Sequence, residues 1–153
     1  SPTILHVVND ITERMIKLIY SDGAPLPGVM KTIRNLSERE IPMAIASSSS
    51  MKLIETVLNK LKIQSYFEVI HSAEFELKGK PDPQVFLTTA KKLGLNPSSC
   101  MVLEDSKAGM EAGIAAGMKV ILVPDRLSPI ENWHDQAYCV LSTLNDFDLN
   151  LLS

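Results

Sequence analysis

Three short stretches of this sequence carry side chains suited to chemistry on an anion. The first is Ser47-Ser48-Ser49-Ser50, which follows the apolar run Pro42-Met-Ala-Ile-Ala46 and leads into a segment of helical period from Met51 to Leu61. Hydroxyls and successive backbone N–H groups at a helix N-terminus suit a bound anion, and serines there serve equally well as plain helix caps. The second is Lys78-Gly-Lys80-Pro81-Asp82-Pro83. Pro81 restricts the residue before it, so Lys80 is expected to be extended just ahead of a helix, where its ammonium would meet a phosphoryl group as a point charge. Lys78 lacks that constraint and is assigned to solvent. The third is Glu104-Asp105, at the end of Met101-Val-Leu103. Adjacent carboxylates that lose hydration repel each other and call for a cation, and oxygen ligands suit Mg²⁺. The plainer role for Asp105 is to cap a helix beginning near Ser106.

Positioning these groups requires a regular scaffold, and the sequence has one. Pro42-Met-Ala-Ile-Ala46, Met101-Val-Leu103 and Lys119-Val-Ile-Leu-Val123 are short apolar runs without alternation, as in parallel strands covered on both faces. Tyr66-Phe-Glu-Val-Ile-His71 and Tyr138-Cys-Val-Leu141 read as further strands. Between them lie helical patterns over Val29 to Glu38, Met51 to Leu61, a segment opened by Asp82-Pro83 and ended by Gly94, and Ala108 to Ala116 closed by Gly117. Strands alternating with helices predict an α/β fold, a three-layer Rossmann-like parallel sheet with right-handed crossovers. Ligands of such sheets sit beyond the carboxyl ends of the strands, where the serine run and the acid pair fall. Ahead of this, Ile4, Val8, Ile11, Met15 and Ile19 recur at helical steps, so residues 1–20 are expected to be a helix. Residues 21–28, Ser-Asp-Gly-Ala-Pro-Leu-Pro-Gly, read as a hinge.

At 153 residues and 45% apolar content the chain can bury the core of one domain. A net charge of -3 with dispersed Lys and Arg argues against nucleic acid as a partner. No apolar run approaches the roughly 20 residues of a membrane span. Cys100 and Cys139 match no metal or redox spacing, which points to a reducing cytoplasm with both as small hydrophobes. His6, His71 and His134 are isolated in sequence and read as structural or surface residues, and no role is assigned to Trp133.

The ordered set Ala44-Ile-Ala-Ser-Ser-Ser49, Lys80-Pro-Asp-Pro-Gln-Val-Phe86 and Val102-Leu-Glu-Asp-Ser106, followed by Ala108-Gly-Met-Glu-Ala-Gly113, resembles motifs two to four of the haloacid dehalogenase-like (HAD) superfamily. The subgroup it looks like contains 2-deoxyglucose-6-phosphate phosphatases and β-phosphoglucomutases. The resemblance runs from Leu26-Pro-Gly28 to the Leu-rich C-terminus. It implies that Ser47 hydrogen-bonds the transferring phosphoryl group with the Ser48 N–H beside it, and that Lys80 balances the charge there. It further implies that Asp105 holds Mg²⁺, that Glu104 is a direct or water-mediated second acid, and that Ser49 touches the non-reacting part of the substrate. The implied reaction is Mg²⁺-dependent hydrolysis of a small sugar or polyol phosphate through an aspartyl-phosphate.

The family's Asp-x-Asp-Gly-Thr nucleophile motif, at the tip of a first strand, has no counterpart here. Asp22-Gly23 lies in the hinge, and Asp146-Phe-Asp148 lacks Gly-Thr. The expected organisation is therefore a remnant of a helical cap at 1–20, a hinge at 21–28 and a HAD-like core at 29–153 without its first strand. The chain alone is expected to be inactive. A non-catalytic phosphate-binding or interaction protein is the alternative from another class, and a β-phosphoglucomutase-like mutase the alternative within the class. By the resemblance the absent strand belongs between Pro42 to Ala46 and Met101 to Glu104, a gap near 10 Å with unpaired backbone on both sides. Direct pairing of the flanking strands, or strand exchange and self-association, is expected to close it; filling of the slot by an extended Thr3 to Val8 is the third possibility, and the helical spacing of residues 4 to 19 argues against it.

Overall fold

The structure, a computed structural model, describes residues 4–8, 28–124, 129 and 131–152. Its strands are β1 (Ile4–Val8), β2 (Met43–Ser47), β3 (Val69–Ser72), β4 (Cys100–Glu104), β5 (Lys119–Leu122) and β6 (Cys139–Val140). All pair in parallel, in the order β3-β2-β1-β4-β5-β6. The helices are α1 (Val29–Glu38), α2 (Met51–Leu61), α3 (Gln84–Leu93) and α4 (Lys107–Ala115).

Alternation along the strands builds two cores. Ile45, Met101, Leu103 and Ile121 face one way and bury Val29, Ile33 and Leu36 of α1 with Ile54 and Leu58 of α2. Ala46, Val102 and Val120 face the other way, against Val85, Phe86 and Ala90 of α3 and Met110 and Ala112 of α4. Both faces of β2 and β4 are buried along their whole length, which is why their sequences are continuous apolar runs. The expected three-layer α/β architecture is thus present.

The N-terminal expectation is corrected by the same topology. Over Ile4–Val8 the chain is a strand rather than a helix, with Leu5 opposite Met43 on one side and Met101 on the other. It occupies the middle of the sheet, so the core described here does not lack a strand between β2 and β4. Two facts explain the difference. The run Ile-Leu-His-Val-Val contains three β-branched residues, and a short apolar segment is ambiguous between strand and helix. Left open, the slot would expose two rows of unpaired N–H and C=O groups, at about 1 to 3 kcal/mol for each one buried unpaired. With the place filled, the open-slot reason for strand exchange no longer applies. The rest of the expected cap helix and residues 21–27 of the expected hinge lie outside the described residues.

Gly28 opens α1 with φ 84, a left-handed conformation. A methyl group there would also overlap the backbone at Leu144 and Asn145, whose turn packs on the start of α1. Gly28→Ala is expected to destabilise the chain by at least about 1 to 2 kcal/mol, from the left-handed backbone alone. Urea denaturation checks this, and an unchanged midpoint would refute it.

Candidate active site at the carboxyl ends of the central strands

In the strand order above, the chain builds outward from β1 in both directions, through β2 and β3 on one side and β4 to β6 on the other. The crevice of a doubly wound sheet forms at such a reversal. Ala46 of β2 stands opposite Val8, and Leu103 of β4 opposite Val7, so Ser47 and Glu104 flank the carboxyl end of β1. Two interstrand spacings separate them, about 10 Å.

On the β2 side, Ser47 is fully buried, and its Oγ accepts the backbone N–H of Ser49 at 3.1 Å. The helix-capping role falls to Ser50 instead, whose hydroxyl accepts from Leu53 N at 3.3 Å. Ser47 therefore lies upstream of the cap and is not the residue that fills it. Ser48 is exposed. Ser49 is buried, and the Ser72 hydroxyl of β3 donates to its carbonyl at 2.6 Å, fixing the loop between β2 and α2. Glu74 adds a carboxylate that accepts Met51 N at 2.9 Å.

The β4 side is dominated by one ion pair. Lys80 Nζ donates to Glu104 Oε2 at 3.0 Å, with side-chain exposures of 4% and 0%. The other oxygen of Glu104 accepts from Asp105 N at 3.1 Å and from Ser106 N and Oγ at 3.4 Å. The Lys80 ammonium also lies 5.1 Å from the centroid of the buried Phe86 ring, a favourable place for a cation. Sequence reasoning put Lys80 and Glu104 in one site but did not foresee this direct contact. Asp105 is half-buried beside them. It is not the helix cap: Ser106 caps α4, its hydroxyl accepting from Gly109 N at 3.0 Å.

Lys80 differs from expectation in its backbone. The Lys80-Pro81 peptide is cis, and Asp82 N donates to Gly79 O at 3.0 Å, so Lys80 sits inside a tight turn. A cis proline at the third position is compatible with a hydrogen-bonded turn, so the residue before it need not lie outside one. The turn leads directly into α3, where Asp82 Oδ1 accepts Gln84 N at 3.0 Å. Lys78 is exposed, as expected.

A second polar cluster braces the loop that delivers Lys80. His71 of β3 is buried, with Nε2 2.6 Å from Glu76 Oε1 and Nδ1 3.1 Å from Lys92 Nζ on α3. An ammonium can only donate, so Nδ1 accepts and Nε2–H donates to Glu76. Burial pushes the Glu76 carboxyl up, but hydrogen bonds from Thr88 and His71 and the positive charge of Lys92 outweigh it and hold the group below its ordinary value. A carboxyl depressed on folding stabilises the native state at pH values above its ordinary range and loses that contribution as pH falls through its lowered value. Thermal unfolding should therefore show an acid-side loss of stability that is smaller in Glu76→Gln. Identical acid limbs would contradict the brace.

The structure is thus a three-layer parallel α/β sheet with a hydroxyl, an ammonium and two carboxylates around the end of its middle strand. The comparisons sharpen this. The family model of haloacid dehalogenase-like hydrolases matches residues 3–123, and the chain belongs to that family. Hexitol phosphatase B of Escherichia coli K12 is 37% identical over 123 residues, covering 80% of this chain and 55% of that protein. The crystal structure of β-phosphoglucomutase from Clostridium difficile is 27% identical with a TM-score of 0.74, covering 91% of this chain and 58% of that one. CbbY from Rhodobacter sphaeroides, at 24% identity and a TM-score of 0.80, shares the fold, covering 93% of this chain and 65% of that one. The chain thus spans roughly half to two thirds of the length of these proteins.

Proposed function

We propose that this chain forms the phosphate-binding half of a phosphatase acting on small sugar or polyol phosphates in the cytoplasm. The observation that carries the reading is the buried Lys80–Glu104 pair beside Asp105, across the end of β1 from Ser47. In this reading the Ser47 hydroxyl and the Ser48 N–H hold phosphoryl oxygens, and Lys80 places positive charge over them. Glu104 takes one of the three N–H donors of Lys80, so the ammonium is aimed while two donors are left for the phosphoryl group. Ser49 shapes the wall nearest the rest of the substrate.

Among the described residues no three His, Cys, Asp or Glu side chains gather as a metal site. Mg²⁺ commonly takes only one or two carboxylates and completes its shell with phosphate and water, so the Glu104-Asp105 pair fits it. Asp105 would be the direct ligand and Glu104 a second acid through water. Bound there, Mg²⁺ would neutralise charge on the phosphoryl oxygens.

Hexitol phosphatase B supports a sugar-phosphate substrate, and the β-phosphoglucomutase structure keeps a mutase as the within-class alternative. A phosphate-binding protein without catalysis is favoured by a separate observation. β1 is followed in sequence by Asn9-Asp10-Ile11-Thr12 rather than Asp-x-Asp-Gly-Thr. Assaying the encoded full-length protein with hexitol phosphates and with β-glucose 1-phosphate separates the readings. Phosphate release from hexitol phosphates is the expected outcome. Isomerisation without release would assign a mutase, and neither reaction would favour the binding protein.

A further inference from the structure

Gly109 is the third residue of α4, one turn inside the helix and behind the Glu104 carboxylate. A methyl group on its Cα would overlap Cγ, Cδ and Oε2 of Glu104. The three nearest atoms to that methyl group all belong to Glu104. The helix itself gives no reason for glycine. Gly109 lacks the left-handed φ recorded for Gly28, Gly94 and Gly117, and alanine is the better helix former. Its backbone N–H serves the Ser106 cap, a role alanine would keep.

The overlapped Oε2 is the oxygen that receives Lys80. The carboxylate packs against the bare Cα of Gly109, with Oε1 turned to the N–H groups of Asp105 and Ser106 just ahead of the helix and Oε2 to the ammonium. Any side chain at position 109 would lift it off this seat and move Lys80 with it.

We propose that Gly109 is a positioning residue, the seat that orients Glu104 and through it aims Lys80 at the phosphoryl group. The inference rests on the phosphate-handling reading of that pair. Its consequence is a residue without a side chain that acts on ligand affinity through a neighbour two steps removed.

The test uses the whole chain and orthophosphate with Mg²⁺ as the probe, followed by calorimetry, with urea denaturation alongside. Gly109→Ala is expected to weaken orthophosphate binding about tenfold, the equivalent of losing one charge-assisted contact. Shortening the displaced acid should restore room, so Gly109→Ala with Glu104→Asp is expected to regain about threefold or more of the lost affinity, a rescue that a packing role would not produce. Should Gly109→Ala fail to fold, the double variant still decides: folding and binding support the seat, and no improvement over the single variant overturns it. Parental affinity in Gly109→Ala would overturn the seat while leaving the site intact, provided Glu104→Gln binds weakly. Parental affinity in Glu104→Gln would instead defeat the reading of the pair itself.

Discussion

Lys80→Ala is expected to destabilise the chain by about 3 to 5 kcal/mol, the range for removing one partner of a buried ion pair. The cost lies in the carboxylate that is left behind. Glu104 has no exposed side-chain surface, so after the loss its charge keeps donors such as Asp105 N, Ser106 N and the Ser106 hydroxyl but loses its bonded ammonium. Such dipoles do not replace an ammonium at 3.0 Å. Converting both members to apolar residues of similar volume, Lys80→Met with Glu104→Leu, should be milder than Lys80→Ala alone, because no buried charge is then unmatched. Equilibrium urea denaturation of the three proteins tests this. A loss below about 1 kcal/mol for Lys80→Ala would place the pair among solvent-exposed bridges and contradict its burial.

The second large effect is on turnover. The chain is expected to release no phosphate from an aryl phosphate above a buffer and Mg²⁺ control. Charge clamps stabilise a transferring phosphoryl group, but the proposed reaction also needs a nucleophile, and the rate enhancements of enzymes, upwards of about 10⁶-fold, require both. Hydrolysis that disappears in Lys80→Ala would show that the catalytic set is already complete in these 153 residues. If the same activity also disappeared in Asp10→Asn, the acid that follows β1 in sequence would be the group responsible.

The site was legible wherever local sequence determines local geometry. An acid pair after three buried apolar residues marks a strand tip, and β4 ends at Glu104 as that pattern requires. A run of serines before a helical period marks a cap, although which serine caps could not be read: Ser50 does so, freeing Ser47 from that duty. Ser106 likewise displaced Asp105 as the cap of α4. Long-range contacts were hidden. Lys80 meets Glu104 across 24 residues and His71 meets Lys92 across 21, distances at which spacing carries no signal. The Gly109 seat was hidden for the same kind of reason, because a glycine inside a small-residue helix reads as packing until the carboxylate above it is seen.

The N-terminal strand was the largest departure, and its cause is instructive. Ile4 and Val8 fit a helical step as well as they fit a strand, and five residues are too few for periodicity to decide. Pairing decided instead: both β2 and β4 present complete backbone edges to the middle of the sheet, and Ile4–Val8 bonds to each. Tertiary demand for hydrogen-bond partners overrode the local pattern, as it does in many central strands.

Orthophosphate binding in the presence of Mg²⁺, measured by calorimetry on the parent chain, Ser47→Ala and Lys80→Met, tests the central claim most directly. If the tips of β2 and β4 form one phosphate site, both substitutions weaken the same binding event. The expected losses are about 10- to 100-fold for Lys80→Met, which removes a charged donor, and about 3- to 10-fold for Ser47→Ala, which removes a neutral one. Omitting Mg²⁺ should weaken the parent as well. Binding of orthophosphate with parental affinity by both variants would contradict the account, because the anion would then be held by some other part of the molecule.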